Sequence, residues 1–279
     1  MSQKKERLDL LLAEKGYFSS RSKAKRAIMA GEVLVNQELI DKAGEKVPVD
    51  AKIEVESKQR FVSRGGRKLL RALEYFQVDP AGKKALDIGS STGGFTDCLL
   101  QQGARKVCAV DSGTNQLAWK LRDDDRVEVR EQTNFRYLSP RDLGARFELV
   151  VVDVSFISLT LILPVAVRFM EDGAELISLV KPQFEAGPEN VETGGVVRDP
   201  KVHREVIERV QSCAAEHNIK VEGLIHSPIT GGKSSNIEYL LYGRYRADLA
   251  EEKSGQVNKL SGEKIVEAID SAHRELKGS

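Results

Sequence analysis

Two lysines and two acids stand where a chain of this pattern would hold reactive groups. Asp153 closes the apolar run V-V-V-D and Lys181 closes L-I-S-L-V-K. Glu238 opens the run that begins at Tyr239, and Lys68 heads a helix pattern with Leu69, Leu70, Leu73 and Phe76 on one side. Ligands of open α/β sheets lie beyond the carboxyl ends of the strands, so polar residues at those ends face the ligand. Glu238 reaches the same rim because its strand is expected to run the opposite way. Each residue alone has an ordinary explanation: Asp153 a helix cap, Lys181 a snorkelling lysine, Glu238 an edge-strand charge, Lys68 a solvated helix residue. Together they set two acids and two amines on one rim, a coincidence harder to dismiss than any one of them.

The stretch Leu86–Asp97, L-D-I-G-S-S-T-G-G-F-T-D, supplies the neighbouring surface. Ala85, Leu86 and Ile88 predict a strand, and Phe95 opens a helix. Gly89, Gly93 and Gly94 let backbone N–H groups approach a nucleotide-like ligand. A second strand, Val107–Val110, ends in Asp111, whose carboxylate can accept hydrogen bonds from both ribose hydroxyls of a nucleoside. The spacing is not G-x-G-x-x-G, which argues against NAD. It resembles the D-x-G-x-x-x-G-G loop of S-adenosylmethionine (SAM) methyltransferases, whose cofactor has no pyrophosphate. That resemblance implies a cofactor set of Asp87, Gly89, Ser90, Gly93, Gly94, Phe95, Thr96 and Asp111. Gln132, Thr133 and Asn134 then fall at the adenine edge, after the third strand. Phe156 packs against cofactor or substrate, or is a core aromatic.

The elements that would position these residues alternate. Expected strands are Ala85–Gly89, Val107–Asp111, Val127–Arg130, Leu149–Asp153, Ala174–Val180, Lys220–His226 and Tyr239–Tyr245. Asp199-Pro200 starts a helix as cap and first-turn proline, running to about Glu216. The fold class is therefore α/β, a Rossmann-like doubly wound sheet whose last two strands form an antiparallel hairpin at one edge. Phe184–Val197, rich in Gly and Glu, reads as a substrate-side lid or as a disordered loop. Gly231, Gly232, Lys233 and Ser234 suggest a second RNA-facing loop beside Glu238. The tail 247–279 is charged and ends in an amphipathic helix built on Ile265, Ile269 and Leu276.

A small unit precedes this domain. Leu8, Leu11 and Leu12 share one helix face, and Ser19 and Ser20 cap a second helix that Gly31 stops. Ala24, Ala27 and Ile28 face inward, and short strands are expected at Val33–Asn36 and Ile53–Glu56. The order R-L-D-x-L-L…S-R-S-x-A-x-R-A-I-x-x-G-x-V-x-V-N resembles the S4 RNA-binding domain. From Met1 to Lys68 there are 16 Lys and Arg against 10 Asp and Glu, a balance of +6; the remainder carries 27 against 32, or −5, within an overall +1. A basic front end suits a polyanion, since Lys and Arg draw affinity from phosphates. Arg7, Arg21, Lys23, Lys25, Arg26, Arg64, Arg67 and Lys233 are the candidate RNA contacts. The expected divisions are 1–57 for the S4-like domain, 58–62 for a linker, 63–246 for the methyltransferase domain and 247–279 for the extension.

Cys98, Cys108 and Cys213 are scattered and lack C-x-x-C spacing, and the four histidines do not cluster. This excludes a disulfide framework and predicts no metal, in keeping with a cytoplasmic location. No apolar run is long enough to span a bilayer, so no membrane partner is expected.

The Lys68, Asp153, Lys181 and Glu238 set resembles the Lys-Asp-Lys-Glu tetrad of FtsJ-like RNA ribose 2′-O-methyltransferases. With the S4-like front end, the motifs S-R-G-G-R-K-L, D-I-G-S-S-T-G-G-F-T-D, V-V-D-V-S-F-I-S-L, V-K-P-Q-F-E and G-G-V-V-R-D are similar to those of the TlyA family. Members of that family were long labelled hemolysins, and characterised ones are rRNA 2′-O-methyltransferases. The likeness runs from about Glu6 to Tyr245, although Gln59-Arg60-Phe61-Val62 stands where related proteins have an R-x-W-V-like linker tetrapeptide. It implies SAM as cofactor, ribosomal RNA or ribosomal subunits as partner and a ribosomal cytidine as target. It also implies Lys181 as general base, assisted by Lys68, with Asp153 and Glu238 positioning the amines. Three other readings stand beside it. A SAM-dependent base methyltransferase is disfavoured because D-V-S-F replaces [DN]-P-P-[YF] and no cysteine lies at the rim. A non-catalytic SAM-sensing RNA binder needs an assay to separate it, and a hemolysin finds no spanning segment or strongly amphipathic cationic helix.

Overall fold

A computed structural model describes residues 4–29, 31–55, 60–231, 236–247 and 259–276. The chain divides into two units, residues 1–60 and 61–278.

The first unit contains β1 (Lys5–Arg7), α1 (Leu8–Glu14), α2 (Arg21–Met29), β2 (Val33–Val35), β3 (Glu38–Leu39), β4 (Lys46–Pro48) and β5 (Ile53–Val55). β1 pairs with β4, and β3, β2 and β5 form a three-stranded antiparallel sheet. Leu8, Leu11 and Leu12 pack with Ala24, Ala27, Ile28, Val33, Val35 and Ile53, so both helices bury the faces their spacing predicts. Ser20 Oγ accepts the Lys23 N–H at 3.3 Å, as a cap should. β2 stops one residue short of the expected Asn36. Asn36 and Gln37 both take positive φ, +52° and +71°, and make the two-residue hairpin turn into β3.

The second unit opens with α3 (Gly65–Phe76), β6 (Lys84–Ile88), α4 (Gly94–Gln101), β7 (Lys106–Val110), α5 (Trp119–Arg122), β8 (Val127–Arg130), α6 (Pro140–Leu143) and β9 (Phe147–Val152). It continues with α7 (Leu159–Ala166), β10 (Met170–Val180), α8 (Pro182–Glu185), α9 (Pro200–Glu216), β11 (Ile219–His226), β12 (Tyr239–Tyr245) and α10 (Gly262–Leu276). Seven strands form one sheet in the order β11-β12-β10-β9-β6-β7-β8. All neighbours are parallel except β12, which runs against both β10 and β11. The period-two alternation sorts the core into two layers. Leu86, Ile88, Val150 and Val152 pack with α7, α9 and α10, whereas Ala85, Leu149 and Val151 pack with α3 and α4. This is the doubly wound α/β sheet expected.

Of the expected linker 58–62, residues 58 and 59 lie outside the described residues, and Phe61 and Val62 pack in this second unit. Phe61 is buried, and Val62 donates its N–H to Asp97 Oδ2 at 2.8 Å. The tail helix α10 buries Ile265, Ala268, Ile269 and Ala272, while Leu276 is half-buried against the same core. Among the described residues, no helix is long and apolar enough to cross a membrane and no group of side chains could hold a metal.

Candidate active site

The β6–α4 loop crosses the β9 exit with almost no clearance. Gly89 has φ +86°, and a Cβ there would lie 2.5 Å from the Asp153 carbonyl oxygen. Any larger residue would be strained and would also collide with backbone. The N–H groups of Gly89 and Ser90 both bond to Val110 O, tying the loop to β7. A Cβ on Gly94 would lie 2.9 Å from Gly66 N, so the first turns of α3 and α4 meet at backbone contact.

Two cavities open along this loop. The first, about 280 Å³, is lined by Ser63, Arg64, Gly65, Lys68, Gly89, Ser90, Ser91, Thr92, Gly94, Phe95, Asp153, Ser155 and Lys181. The second, about 510 Å³, takes in Asp111, Gln116, Thr133, Asn134 and Phe156 and shares Gly89, Ser91, Asp153 and Ser155 with the first. The Asp111 carboxylate is held by the N–H groups of Ser91 (2.8 Å) and Gly113 (2.7 Å). Each oxygen keeps lone pairs for a ribose hydroxyl.

The four charged residues gather as two ion pairs. Lys68 Nζ lies 2.5 Å from Glu238 Oε2, across 170 residues of sequence, and Lys181 Nζ lies 2.6 Å from Asp153 Oδ1. Lys181 Nζ also donates to Ser155 Oγ at 3.0 Å. Gln183 Nε2 donates to Glu238 Oε1 at 3.3 Å. Lys68, Lys181 and Glu238 are all buried, which is tolerable for charge only because each has a partner.

Comparison with known proteins fits this geometry. The family model of FtsJ-like methyltransferases matches residues 61–245, and that of S4 domains matches residues 6–53. The chain is 42% identical over 90% of its length to the 16S/23S rRNA (cytidine-2′-O)-methyltransferase TlyA of Mycobacterium tuberculosis, covering 94% of that protein. It is 51% identical to YqxC of Bacillus subtilis, named as a candidate rRNA methyltransferase, over 99% of this chain and 97% of the other. A solved structure from Streptococcus thermophilus, described as a hemolysin candidate, is 43% identical and superposes with a TM-score of 0.76, covering 99% of this chain and 98% of that one. The chain belongs to the TlyA family of FtsJ-like methyltransferases.

Within this TlyA-family fold the expected site residues separate by environment. Gly89, Ser90, Gly94 and Phe95 line the first cavity, and Asp111, Thr133, Asn134 and Phe156 line the second. Phe156 is no core aromatic: it is 89% exposed, with its ring 4.7 Å from that of Phe184. Four members of the expected cofactor set line neither cavity. Asp87 and Thr96 are fully buried and bond to each other, Thr96 Oγ1 donating to Asp87 Oδ2 at 2.6 Å. Burial pushes the Asp87 carboxyl up to about 7. Gly93 backs onto Leu117 and Leu121, where a Cβ would lie 2.3 Å from Leu121 Cδ1. Gln132, at φ +54°, turns the chain out of β8 and gives its N–H to Gly113 O. Asp87 in β6 and Thr96 in α4 thus belong to the elements behind the cavities, and Gly93 and Gln132 to turns between elements.

The basic set divides as well. Arg7 (3.0 Å) and Arg21 (2.9 Å) share the buried carboxylate of Asp9, whose acidity they raise until it titrates near about 2, the Arg7 hydrogen bond contributing most. Lys23, Lys25 and Arg26 are exposed on α2. Arg64, a candidate RNA contact, lines the first cavity, and Arg67 is exposed one turn of α3 away from it. Lys233 and the loop 232–235 lie outside the described residues.

Sequence reasoning missed Ser155, Gln183 and Glu131. The first two sit inside motifs quoted for the family likeness, which was the available signal. Glu131 accepts the N–H groups of Asn115, Gln116 and Leu117 and pairs with Arg122. The Arg122 hydrogen bond is the largest cause that holds its carboxyl down to about 2. It fixes the loop carrying Gln116, and nothing in a lone acid after β8 announces that. The segment 191–197 is anchored by Asn236, which accepts the Val197 N–H at 3.1 Å and donates to Gly195 O at 2.8 Å.

Proposed function

We propose that this protein transfers the methyl group of SAM to the 2′-hydroxyl of a ribosomal cytidine, in the cytoplasm. The observation that carries the reading is the meeting of Lys68–Glu238 and Lys181–Asp153 beside a glycine loop with a nucleoside-sized cavity. The cavities fit SAM: Asp111 offers a carboxylate for the ribose hydroxyls, Thr133 and Asn134 flank the adenine end, and Arg64 faces the first cavity, where a methionine carboxylate would sit. When bound, SAM supplies an electrophilic methyl on sulfonium, and transfer to an oxygen in line needs chiefly proximity and orientation.

This chain's residues then have to manage a proton. A ribose 2′-hydroxyl attacks only as it loses its hydrogen, and Lys181, with one face on the first cavity, is the general base. Asp153 holds its amine in place. Lys68 donates toward the developing oxyanion while Glu238 fixes its position. The S4 domain, with an expected extent of 1–57 and a linker at 58–62, anchors the RNA through Lys23, Lys25 and Arg26 on α2.

The test is methyl transfer from labelled SAM to ribosomal subunits lacking the modification, with the methylated ribose mapped. The expected result is one cytidine carrying the label on its 2′-oxygen, and a rate about 10²–10⁴-fold lower in Lys181→Ala with SAM binding retained. Label on a base, or label on an RNA whose target sugar is 2′-deoxy, would refute it.

A further inference from the structure

We infer that Ser155 is a positioning residue that aims the lone pair of Lys181 at the substrate hydroxyl; the inference rests on the reading of Lys181 as general base. The argument begins with the valences of one nitrogen. A neutral lysine amine has two N–H bonds and one lone pair, arranged tetrahedrally about Nζ with the side-chain carbon. Lys181 Nζ has two acceptors in place, Asp153 Oδ1 at 2.6 Å and Ser155 Oγ at 3.0 Å. Once both N–H bonds are spent on these, the lone pair has a single direction left. With Asp153 alone, the Cε–Nζ bond and that one contact leave two directions open, and the lone pair and the second N–H can exchange between them; Ser155 assigns one to the N–H and the other to the lone pair.

Two further observations mark Ser155 as more than a bystander. It lines both cavities, at the seam between the catalytic lysines and the nucleoside-sized space. The residue after it, Phe156, is held at φ +62°, a left-handed conformation that is strained for a bulky residue. Strain of this kind persists where the surroundings demand a particular backbone path. Here that path carries the chain from Asp153 through Ser155 and out to the exposed Phe156 ring.

The proton ledger is simple. The 2′-oxygen gains a bond to the methyl carbon as the sulfur–carbon bond breaks, and the electron pair stays on sulfur. The 2′-hydroxyl proton passes to the aimed lone pair, leaving Lys181 as an ammonium whose three N–H bonds point at Asp153, Ser155 and the new ether oxygen. Ser155 itself neither gains nor loses a proton.

The experiment compares Ser155→Ala, Ser155→Thr and Lys181→Ala in single-turnover methyl transfer across pH, with S-adenosylhomocysteine affinity by calorimetry and thermal melting as separate readouts. Ser155→Ala is expected to slow transfer about 10- to 100-fold at saturating RNA, part of what a positioned base contributes, with melting temperature and affinity unchanged. Its rate should stay below the parent's at every pH sampled, so that the two pH–rate profiles do not coincide. Ser155→Thr, which keeps the hydroxyl, should recover most of the rate. Parent-like rate and profile in Ser155→Ala, or equal losses in the Ala and Thr variants, would overturn the positioning role while leaving Lys181 as base. A Lys181→Ala enzyme that still transfers at the parent rate would overturn both.

Discussion

A buried ammonium and a buried carboxylate tolerate each other better than either tolerates solitude. Glu238→Leu leaves Lys68 charged with no partner at a position with 10% side-chain exposure, and should cost about 3–5 kcal/mol of unfolding free energy. Adding Lys68→Met should restore most of that loss while activity stays absent. Denaturant titration of the parent, both single variants and the double variant measures this coupling directly. Asp87 is the opposite case, an acid buried with Thr96 as hydrogen-bond partner and with its Oδ1 meeting none among the described residues. Unfolded, it releases its proton near 3.8; folded, near about 7. Between those values the folded state holds more protons, so this group makes stability fall as pH rises from about 4 to 7. Asp87→Asn should remove that decline, seen as a flatter melting temperature between pH 4.5 and 7.5. A steeper decline in the variant would contradict the burial of a neutral acid.

At the scale of elements, the lysine that opens α8 is aimed by the helix it precedes. Glu185, at the end of α8, receives the Leu159 N–H at 2.7 Å and the Ser158 hydroxyl at 2.6 Å, so it closes the first turn of α7 from outside. Glu185→Ala should cost about 1–2 kcal/mol as a lost cap and should also slow methyl transfer, since α8 would lose its tie to α7. Thermal melting and single-turnover rates read the two effects separately. The seven strands of the sheet were legible because alternation and β-branched runs reflect burial on two faces, and Asp199-Pro200 announced α9 through local capping. The short α5, α6 and α8 carried no such pattern, since four residues cannot display a period. Lys68, Asp153, Lys181 and Glu238 could be picked out as strand-end polar groups. Their pairing could not, because which acid meets which amine is decided by the sheet order. Asp87 and Thr96 entered the cofactor set with the D-x-G-x-x-x-G-G resemblance; that they bond to each other and line neither cavity depends on which face of β6 and α4 they occupy.

Over the whole molecule, the exposed basic residues of α2 and the paired charges beside the cavities occupy different segments. The exposed Lys23, Lys25 and Arg26 of α2 have no part in either cavity. Reversing all three to Glu should therefore weaken binding to ribosomal subunits and lower the salt dependence of that binding by about one unit of slope per lost phosphate contact. Affinity for S-adenosylhomocysteine should stay at the parent value. A variant that lost both would show that the basic helix also supports the catalytic unit. The antiparallel β12 has a separate meaning for synthesis. Because Lys68 waits for an acid 170 positions downstream, nearly the entire polypeptide must leave the ribosome before its ammonium is neutralised. An interrupted translation product ending before residue 238 thus carries an uncompensated cation where the finished enzyme has a pair. A chain cut short before that position lacks one of the two ion pairs and should fail to transfer methyl groups, which a single-turnover assay of the truncated protein checks.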